Sequence, residues 1–438
     1  MKSMRYLFFF VVLNSCFGQI GKKYELIKQV VVKDNKLTVV AHKRFTQQYL
    51  KEHFFVEYQN DIDLEKLPRS IILMPFIALI ISTIWISGEI YTIDEMDCEF
   101  YQSLERLKKV IQVLYPKTPW EGKLIPQRLV STPRVPFKDS NYIALLFSGG
   151  LDSTVSSLFH ADKKQLLITA WGQWDLPLEK PEVWNEVKER LVSFAKRHGH
   201  SSTFIRSNYV TFFKWEYLNT LSPEIPKWRL YAVEDVGWAG LTAPILYAKG
   251  YSVLKIASSD SWNTGYPILA NPFVDNALTF AGIKIEHDLF EYRRQDKISF
   301  LASYNKKTDS KPDILTVCAR AISNCCHCSK CLSTALGLLV LGENPQMYGF
   351  NVSRELLIEA AKKHVSKEDL DFIKIERFKG ISQAALEKGY SEDMRWVTEI
   401  DFESKYQETY EYAFQQRISW KALSELFPHV SVPEKFLT

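Results

Sequence analysis

The residues Ser148-Gly149-Gly150-Leu151-Asp152-Ser153-Thr154 bring two glycines, three hydroxyls and a carboxylate into seven consecutive positions. Two glycines let the backbone turn sharply and approach an anion closely. The amide groups and positive end of a following helix would then face that anion. Ser148, Ser153 and Thr154 add hydroxyl donors, and Asp152 is suited to hold Mg²⁺ or to orient the loop. A polyphosphate such as ATP is the ligand these groups fit. A bare Gly-Gly turn needs no ligand, but the full heptapeptide between an apolar strand and an apolar helix favours the anion site. The G-x-x-x-x-G-K-[ST] pattern of phosphoryl-transfer NTPases is not the pattern here.

A second group is Cys318, Cys325, Cys328 and Cys331, spaced C-x6-C-x2-C-x2-C, with Cys326 as a spare. A C-x2-C-x2-C knuckle gathers thiolates, and the upstream cysteine completes a tetrahedral set for Zn²⁺ with no open position, which implies a structural role. Three alternatives stay open. An iron–sulfur cluster uses similar spacing, although the usual fourth Cys followed by Pro is missing. A redox or sulfur-relay role needs a reactive unligated thiol, for which Cys326 is the candidate. Ordinary buried thiols would have to account for five cysteines in fourteen residues. His327 is a substitute ligand by type, but a histidine in a knuckle is more often exposed.

Elements must position these groups. Tyr142 to Phe147, Gln165 to Trp171, Thr203 to Ile205 and Ser252 to Ala257 read as strands. Between them, Pro181 to His198 sets Val183, Val187, Leu191, Phe194 and Ala195 on one helical face, and Tyr231 to Lys249 reads as a helix stopped by Gly250. Buried strands alternating with amphipathic helices imply an α/β fold, a parallel doubly wound sheet carrying the zinc knuckle. Upstream, Gln29 to Val32 and Lys36 to Ala41 are β-rich and Glu99 to Val113 is an amphipathic helix, so an α+β N-terminal domain is expected. Five prolines between Pro116 and Pro136 mark a boundary. Beyond Gly349 the pattern is a helical C-terminal tail, starting with a Ser353 cap. The expected divisions are 1–135, 136–345 and 346–438.

Composition bounds the function classes. The chain has 438 residues, 46% hydrophobic and 24% charged, which excludes disorder and low complexity. The net charge of +4, from 55 Lys+Arg against 51 Asp+Glu, provides no strong nucleic-acid signature. Crowded cysteines imply a reducing compartment, hence a cytoplasmic protein. Against this, residues 1–19 resemble a bacterial lipoprotein signal, with Lys2, Arg5, an apolar run and Leu13-Asn14-Ser15-Cys16; a hydrophobic strand or an upstream start are the other readings. Ile71 to Gly88 carries no charge over 18 residues, but Pro75 interrupts it. A fully buried helix or a strand–helix pair is expected there.

The heptapeptide S-G-G-x-D-S-T resembles the PP-loop of N-type ATP pyrophosphatases. Leu315-Thr316-Val317-Cys318, followed by Asn324-Cys325-Cys326-His327-Cys328-Ser329-Lys330-Cys331, is similar to the zinc end of the 7-cyano-7-deazaguanine synthase (QueC) family. Gly265-Tyr266-Pro267, preceded by Asp260, resembles that family's substrate loop, and Arg294-Gln295-Asp296-Lys297 its L-N-K-x-E stretch. The resemblance covers residues 142 to 340, with the motifs in order. It implies an adenine nucleotide alpha hydrolase-like fold that binds ATP, Mg²⁺ and Zn²⁺. ATP would be cleaved to AMP and pyrophosphate, and a carboxylate, such as that of a 7-deazaguanine-like base, adenylated for C–N bond formation. The loop from Ser148 to Thr154 would bind the nucleotide, with Asp152, Ser153 and Lys297 catalytic. Asp260, Gly265, Tyr266 and Pro267 would bind the substrate, and the four cysteines the metal.

The chain departs from the family at Val233-Glu234-Asp235-Val236-Gly237-Trp238 and at Trp171-Gly172-Gln173-Trp174-Asp175, where G-R-N and Q-R-H segments stand. That leaves the acceptor open among ammonia, a nucleic acid and a protein amine. With its long N-terminal region, the chain is similar to QueC-like components of bacterial anti-phage systems of the Qat type. Expected partners are therefore a small-molecule base or carboxylate, proteins of the same defence operon, and a second copy in a homodimer. The competing functions are a tRNA sulfur transferase and a catalytically silent ATP-binding scaffold. Of seven central tryptophans, only Trp262 is linked to the site. Glu234-Asp235 reads as an Mg²⁺ or amine ligand or as a helix-dipole partner, and Arg293-Arg294 as a solvated face.

Overall fold

A computed structural model describes residues 22–264, 268–318, 323–366, 372–405 and 419–437. The lipoprotein-like segment 1–19 therefore lies outside the described residues. The chain begins with β1 (Lys23–Glu25), β2 (Ile27–Lys33), β3 (Lys36–Ala41), α1 (Lys43–Tyr49), β4 (Phe54–Tyr58), α2 (Arg69–Ile72), α3 (Met74–Ile86), β5 (Ile90–Asp97), α4 (Cys98–Leu114) and β6 (Lys123–Val130). It continues with β7 (Tyr142–Leu146), α5 (Leu151–Phe159), β8 (Lys164–Trp171), α6 (Pro181–Arg197), β9 (Ser201–Ser207), α7 (Trp215–Leu218), α8 (Glu234–Lys249) and β10 (Val253–Ala257). Then follow α9 (Pro272–Asp275), β11 (Thr279–Phe280), β12 (Ile283–Asp288), α10 (Arg294–Thr308), α11 (Ser329–Val340), α12 (Arg354–Val365), α13 (Phe372–Lys388) and α14 (Trp420–Leu426).

The main sheet has the order β11-β12-β10-β7-β8-β9-β4-β3-β2. Its five central strands, β12 to β9, run parallel, so the mixed α/β architecture implied by the strand–helix alternation is what the chain adopts. Side chains of β7 and β8 alternate between two cores: Ala144, Leu166 and Ile168 face one, Leu145 and Leu167 the other. That is the pattern of strands covered on both faces.

The N-terminal strands continue this sheet. In β2 and β3, Lys33 pairs with Lys36 across Asp34 and Asn35, both with positive φ, which is the backbone of a two-residue hairpin turn. β4 then pairs antiparallel with β9, Val56 opposite Ser207 and Tyr58 opposite Ile205. Hydrogen bonding thus runs unbroken from residues of the expected N-terminal region into the expected nucleotide-binding one. A separate parallel sheet, β1-β5-β6, sits beside it.

The uncharged stretch from Ile71 forms buried helix. Every residue of α3 from Met74 to Trp85 is buried, and Pro75 occupies the first turn, where its missing N–H costs no hydrogen bond. Among the described residues, no helix is long and apolar enough to cross a membrane. α3 lies against α8 at a crossing made by small residues: a Cβ on Gly240 would lie 2.3 Å from Ala78 Cβ and 2.9 Å from the Met74 carbonyl. Backbone atoms cannot yield as a side chain can. Gly240→Val is therefore expected to destabilise the protein by about 1–3 kcal/mol, read as a fall in thermal midpoint, while Leu356→Ala on the exposed side of α12 changes it by less than about 0.5 kcal/mol. An unchanged midpoint for Gly240→Val would refute the crossing.

Candidate functional site

β7 ends at Leu146, next to β8 on one side and β10 on the other. From β7 the strand order departs both ways, and in such sheets ligands bind in the crevice beyond the carboxyl ends of the strands at that point. Residues 148–154 occupy it. Gly149 has φ +73, the left-handed region that favours glycine. The Ser148 and Ser153 hydroxyls lie 3.1 Å apart, and the Gly150 N–H donates to Ser148 Oγ at 3.3 Å. Gly150 caps α5 without a side chain, so no side-chain oxygen covers the first amides of the helix. Ser148, Asp152 and Ser153 line the cavity, whereas the Leu151 and Thr154 side chains are buried in the helix and do not line it. Gly149 and Gly150 contribute backbone alone.

Around Asp152 the structure gathers charge from three helices. Arg294 and Lys297 come from α10: Arg294 Nη1 is 3.4 Å and Lys297 Nζ 3.6 Å from the Asp152 carboxylate. Both are almost fully buried. Lys297 also donates to the Ser258 carbonyl after β10, and Arg294 Nη2 donates to Thr334 Oγ1 at 2.9 Å. The expectation that Arg294 belongs to a solvated basic face is thus overturned. It sits at the start of α10, buried against Asp152 and Thr334. Lys330 of α11 lines the same cavity, and the charge of Arg377 on α13 acts on both Asp152 and Asp260. Burial would raise the Asp152 carboxyl, but Lys297, Arg294, Lys330 and Arg377 outweigh it and hold it below the usual carboxylate range. Burial dominates at Asp260 and pushes it up. Burial also pulls Lys297 and Lys330 below the ordinary lysine range. Asp152 Oδ1 is buried and faces Lys297 Nζ at 3.6 Å, an ion pair too long for a hydrogen bond. Asp260 belongs to this cluster; Gly265, Tyr266 and Pro267 lie outside the described residues.

The cavity holds about 590 Å³, within the size of small-molecule sites. Gln173, Trp174, Tyr231, Glu234, Asp235 and Trp238 also line it. A π-helical turn, Arg229–Val233, precedes α8 and directs Arg229 at Glu234 and over the Trp174 ring, 5.5 Å from its centroid. Tyr209 donates its hydroxyl to Glu234 at 3.4 Å. Burial raises the carboxyls of Glu234, Asp235 and Asp175, and at Asp235 the neighbouring Asp275 and Glu234 raise it further. The cavity thus carries both signs of charge, with Lys227, Arg229, Glu234 and Asp235 lining it together with Asp152 and Lys330. Trp174 lines the cavity, whereas Trp262 is buried among Phe290, Trp420 and Phe273.

The ligand atoms of Cys318, Cys325, Cys328 and Cys331 all lie within 4.8 Å of one another. A tetrahedral metal with bonds of ~2.3 Å needs sulfurs roughly 3.8 Å apart, and Cys325 Sγ to Cys331 Sγ is 3.9 Å. The four thiols can thus bind a metal such as zinc. The hydrogen bond between Cys331 and Cys328 pulls the Cys328 thiol down and pushes the Cys331 thiol up. Cys326, with φ +57, points its sulfur instead at the Asn324 carbonyl, 3.5 Å away. Asn324 ties the cluster together: its Oδ1 accepts from the Val317 N–H at 3.0 Å, and its Nδ2 donates to the Leu315 and Gly349 carbonyls at 2.9 and 3.0 Å. Next to Val317, the Thr316 N–H donates to the Gly149 carbonyl at 2.9 Å. The cysteine cluster and the glycine loop are therefore one hydrogen-bond apart.

Sequence reasoning missed Lys330, Arg377, Thr334 and Asn324. Lys330 carried a signal, since it sits inside the knuckle at the start of a helix. Comparison of the chain with family models, with curated proteins and with solved structures gives no match. Purified protein is expected to hold about one zinc per chain, and Cys328→Ser to lose it and lower the thermal midpoint. Elemental analysis of both proteins checks this; wild-type protein without stoichiometric metal would refute the site.

Proposed function

We propose that the chain is a zinc-containing, ATP-dependent adenylating enzyme of QueC type with a PP-loop fold, which forms AMP and pyrophosphate and activates a carboxylate for C–N bond formation. The observation that carries this reading is the charge around Asp152. The charges of Lys297, Lys330 and Arg377 act on both Asp152 and Asp260, and that of Arg294 on Asp152, beside an uncapped glycine loop. Cations clustered beside the amides of a glycine loop suit an anionic ligand such as a polyphosphate.

In this reading a substrate carboxylate oxygen attacks the α-phosphorus of ATP, and the bond from that phosphorus to the bridging oxygen breaks. Negative charge grows on the departing pyrophosphate, where Lys297, Arg294 and the loop amides are placed to stabilise it. Ser148 and Ser153 add hydroxyl donors. Mg²⁺, held by Asp152, would screen the phosphates. The resulting acyl-adenylate meets a nitrogen nucleophile, whose nitrogen bonds to the acyl carbon as AMP leaves. Glu234, which lines the same cavity, would accept the proton the nitrogen loses. Zn²⁺ on the four thiolates would serve the fold. A 7-deazaguanine-like carboxylate, partner proteins of an anti-phage operon and a homodimer remain part of the proposal on the strength of the motif resemblance.

Incubation with ATP, Mg²⁺ and 7-carboxy-7-deazaguanine is expected to yield AMP and pyrophosphate only when the base is present. Asp152→Asn should lower that rate by about 10²–10³ with the fold intact by circular dichroism. AMP with another acid would keep the enzyme and discard the base. Full turnover in Asp152→Asn would discard the catalytic assignment.

A further inference from the structure

The cations at the glycine loop do not all belong to the sheet and its crossover helices. Arg377 lies on α13, in the C-terminal helical region, beyond the segment that carries the loop and cysteine motifs. Three observations bring it next to the cavity. Ile373, four residues earlier and so on the same helix face, lines the cavity together with Ser148, Asp152 and Lys330. The Arg377 guanidinium donates to Ser329 Oγ at 3.5 Å, and Ser329 is the neighbour of Lys330 in the knuckle. Its charge is felt by both carboxylates of the cluster, Asp152 and Asp260.

Packing holds α13 there. A Cβ on Gly380 would lie 3.2 Å from Gln295 Cβ, and one on Gly337 would lie 2.4 Å from Gln295 Oε1. Helices α10, α11 and α13 thus close on the single residue Gln295, which follows Arg294 and precedes Lys297 by two positions. A helix needed only to cover apolar surface could meet α10 anywhere along its length. This one meets it where the cations are.

We propose that Arg377 is a phosphate-contacting residue of the active site, so that the C-terminal helical region completes the pyrophosphate subsite rather than merely packing against it. The inference rests on the adenylating reading above. A guanidinium suits the task because its planar fork binds two phosphate oxygens at once, whereas lysine offers a point charge.

Calorimetric titration of the full chain with Mg²⁺–pyrophosphate, a non-hydrolysable Mg²⁺–ATP analogue and AMP separates the possibilities. For Arg377→Met, affinity for pyrophosphate and the ATP analogue is expected to fall on the order of 10–100-fold, with AMP affinity unchanged. Arg377→Lys should recover part of the loss. Metal content and thermal midpoint should match the wild type in both variants. Equal affinity of wild type and Arg377→Met for pyrophosphate would overturn the assignment while leaving ATP binding intact. Parallel loss of AMP and pyrophosphate binding, with no recovery in Arg377→Lys, would make Arg377 a structural residue and equally overturn it. A wild-type protein that binds neither pyrophosphate nor the ATP analogue would remove the adenylating reading itself, and Arg377's role with it.

Discussion

Holding Arg294, Lys297, Lys330 and Arg377 around Asp152 and Asp260 is the constraint to which the surrounding architecture answers. Like charges repel most strongly where water is scarce, so polar support must hold them, and three of the four have it in view. Lys297 has the Ser258 carbonyl, Arg294 has the Thr334 hydroxyl, and Arg377 has Ser329. The supports come from different elements, which is why those elements must pack at close range. Gly337 and Gly380 permit that approach: a Cβ on Gly337 would lie 2.4 Å from Gln295 Oε1 and 2.7 Å from Ile298 Cδ1, and one on Gly380 a tight 3.2 Å from Gln295 Cβ. The helices are drawn together by apolar burial, and the glycines decide how near they come.

The cysteine cluster does related work from the other side. It binds the segment ending at Cys318 to the start of α11, fixing Thr316 against the loop carbonyl of Gly149 and Lys330 against the cavity. Asn324 repeats the connection without metal, through three hydrogen bonds to backbone on both flanks. On the far side of α5, Asp288 accepts a hydrogen bond from Ser156 and faces Lys255 at 3.2 Å, which ties the helix to β12 and β10. The glycine loop is thus held at both ends, and only its amides and hydroxyls are left to respond to a ligand.

Much of this was legible in the sequence because it is local. The strands around residues 142 and 165, the helix from Pro181, the Gly250 stop and the Ser353 cap each depend on periodicity or on one residue's backbone preference. The cysteines announce themselves by spacing. What was not legible depends on residues distant in the chain. Arg294 reads as surface beside Arg293, and only the packing of α10 against α11 shows that the two arginines point differently: Arg293 pairs with Asp296 and Gln383, Arg294 with Asp152. Arg377 has no local mark at all, since its partners precede it by dozens of residues. Trp262 illustrates the reverse error. Proximity in sequence to a substrate-like loop does not turn an indole toward the cavity, and here aromatic packing with Phe290 and Trp420 claims it.

The join between β4 and β9 has a consequence for how the chain comes into being. Glu57 and Arg206, which pair across it, are 149 residues apart. At a synthesis rate of about 5–20 residues per second, the β2–β4 ribbon leaves the ribosome roughly 7–30 s before its partner strand does. During that interval β4 presents an unpaired edge, the kind of surface on which other chains add strands. Long-range pairing of this sort also slows folding, because loop closure precedes any stabilising contact. The topology thus leaves an edge exposed on the nascent chain, and strands made well before β9 wait for it to be secured.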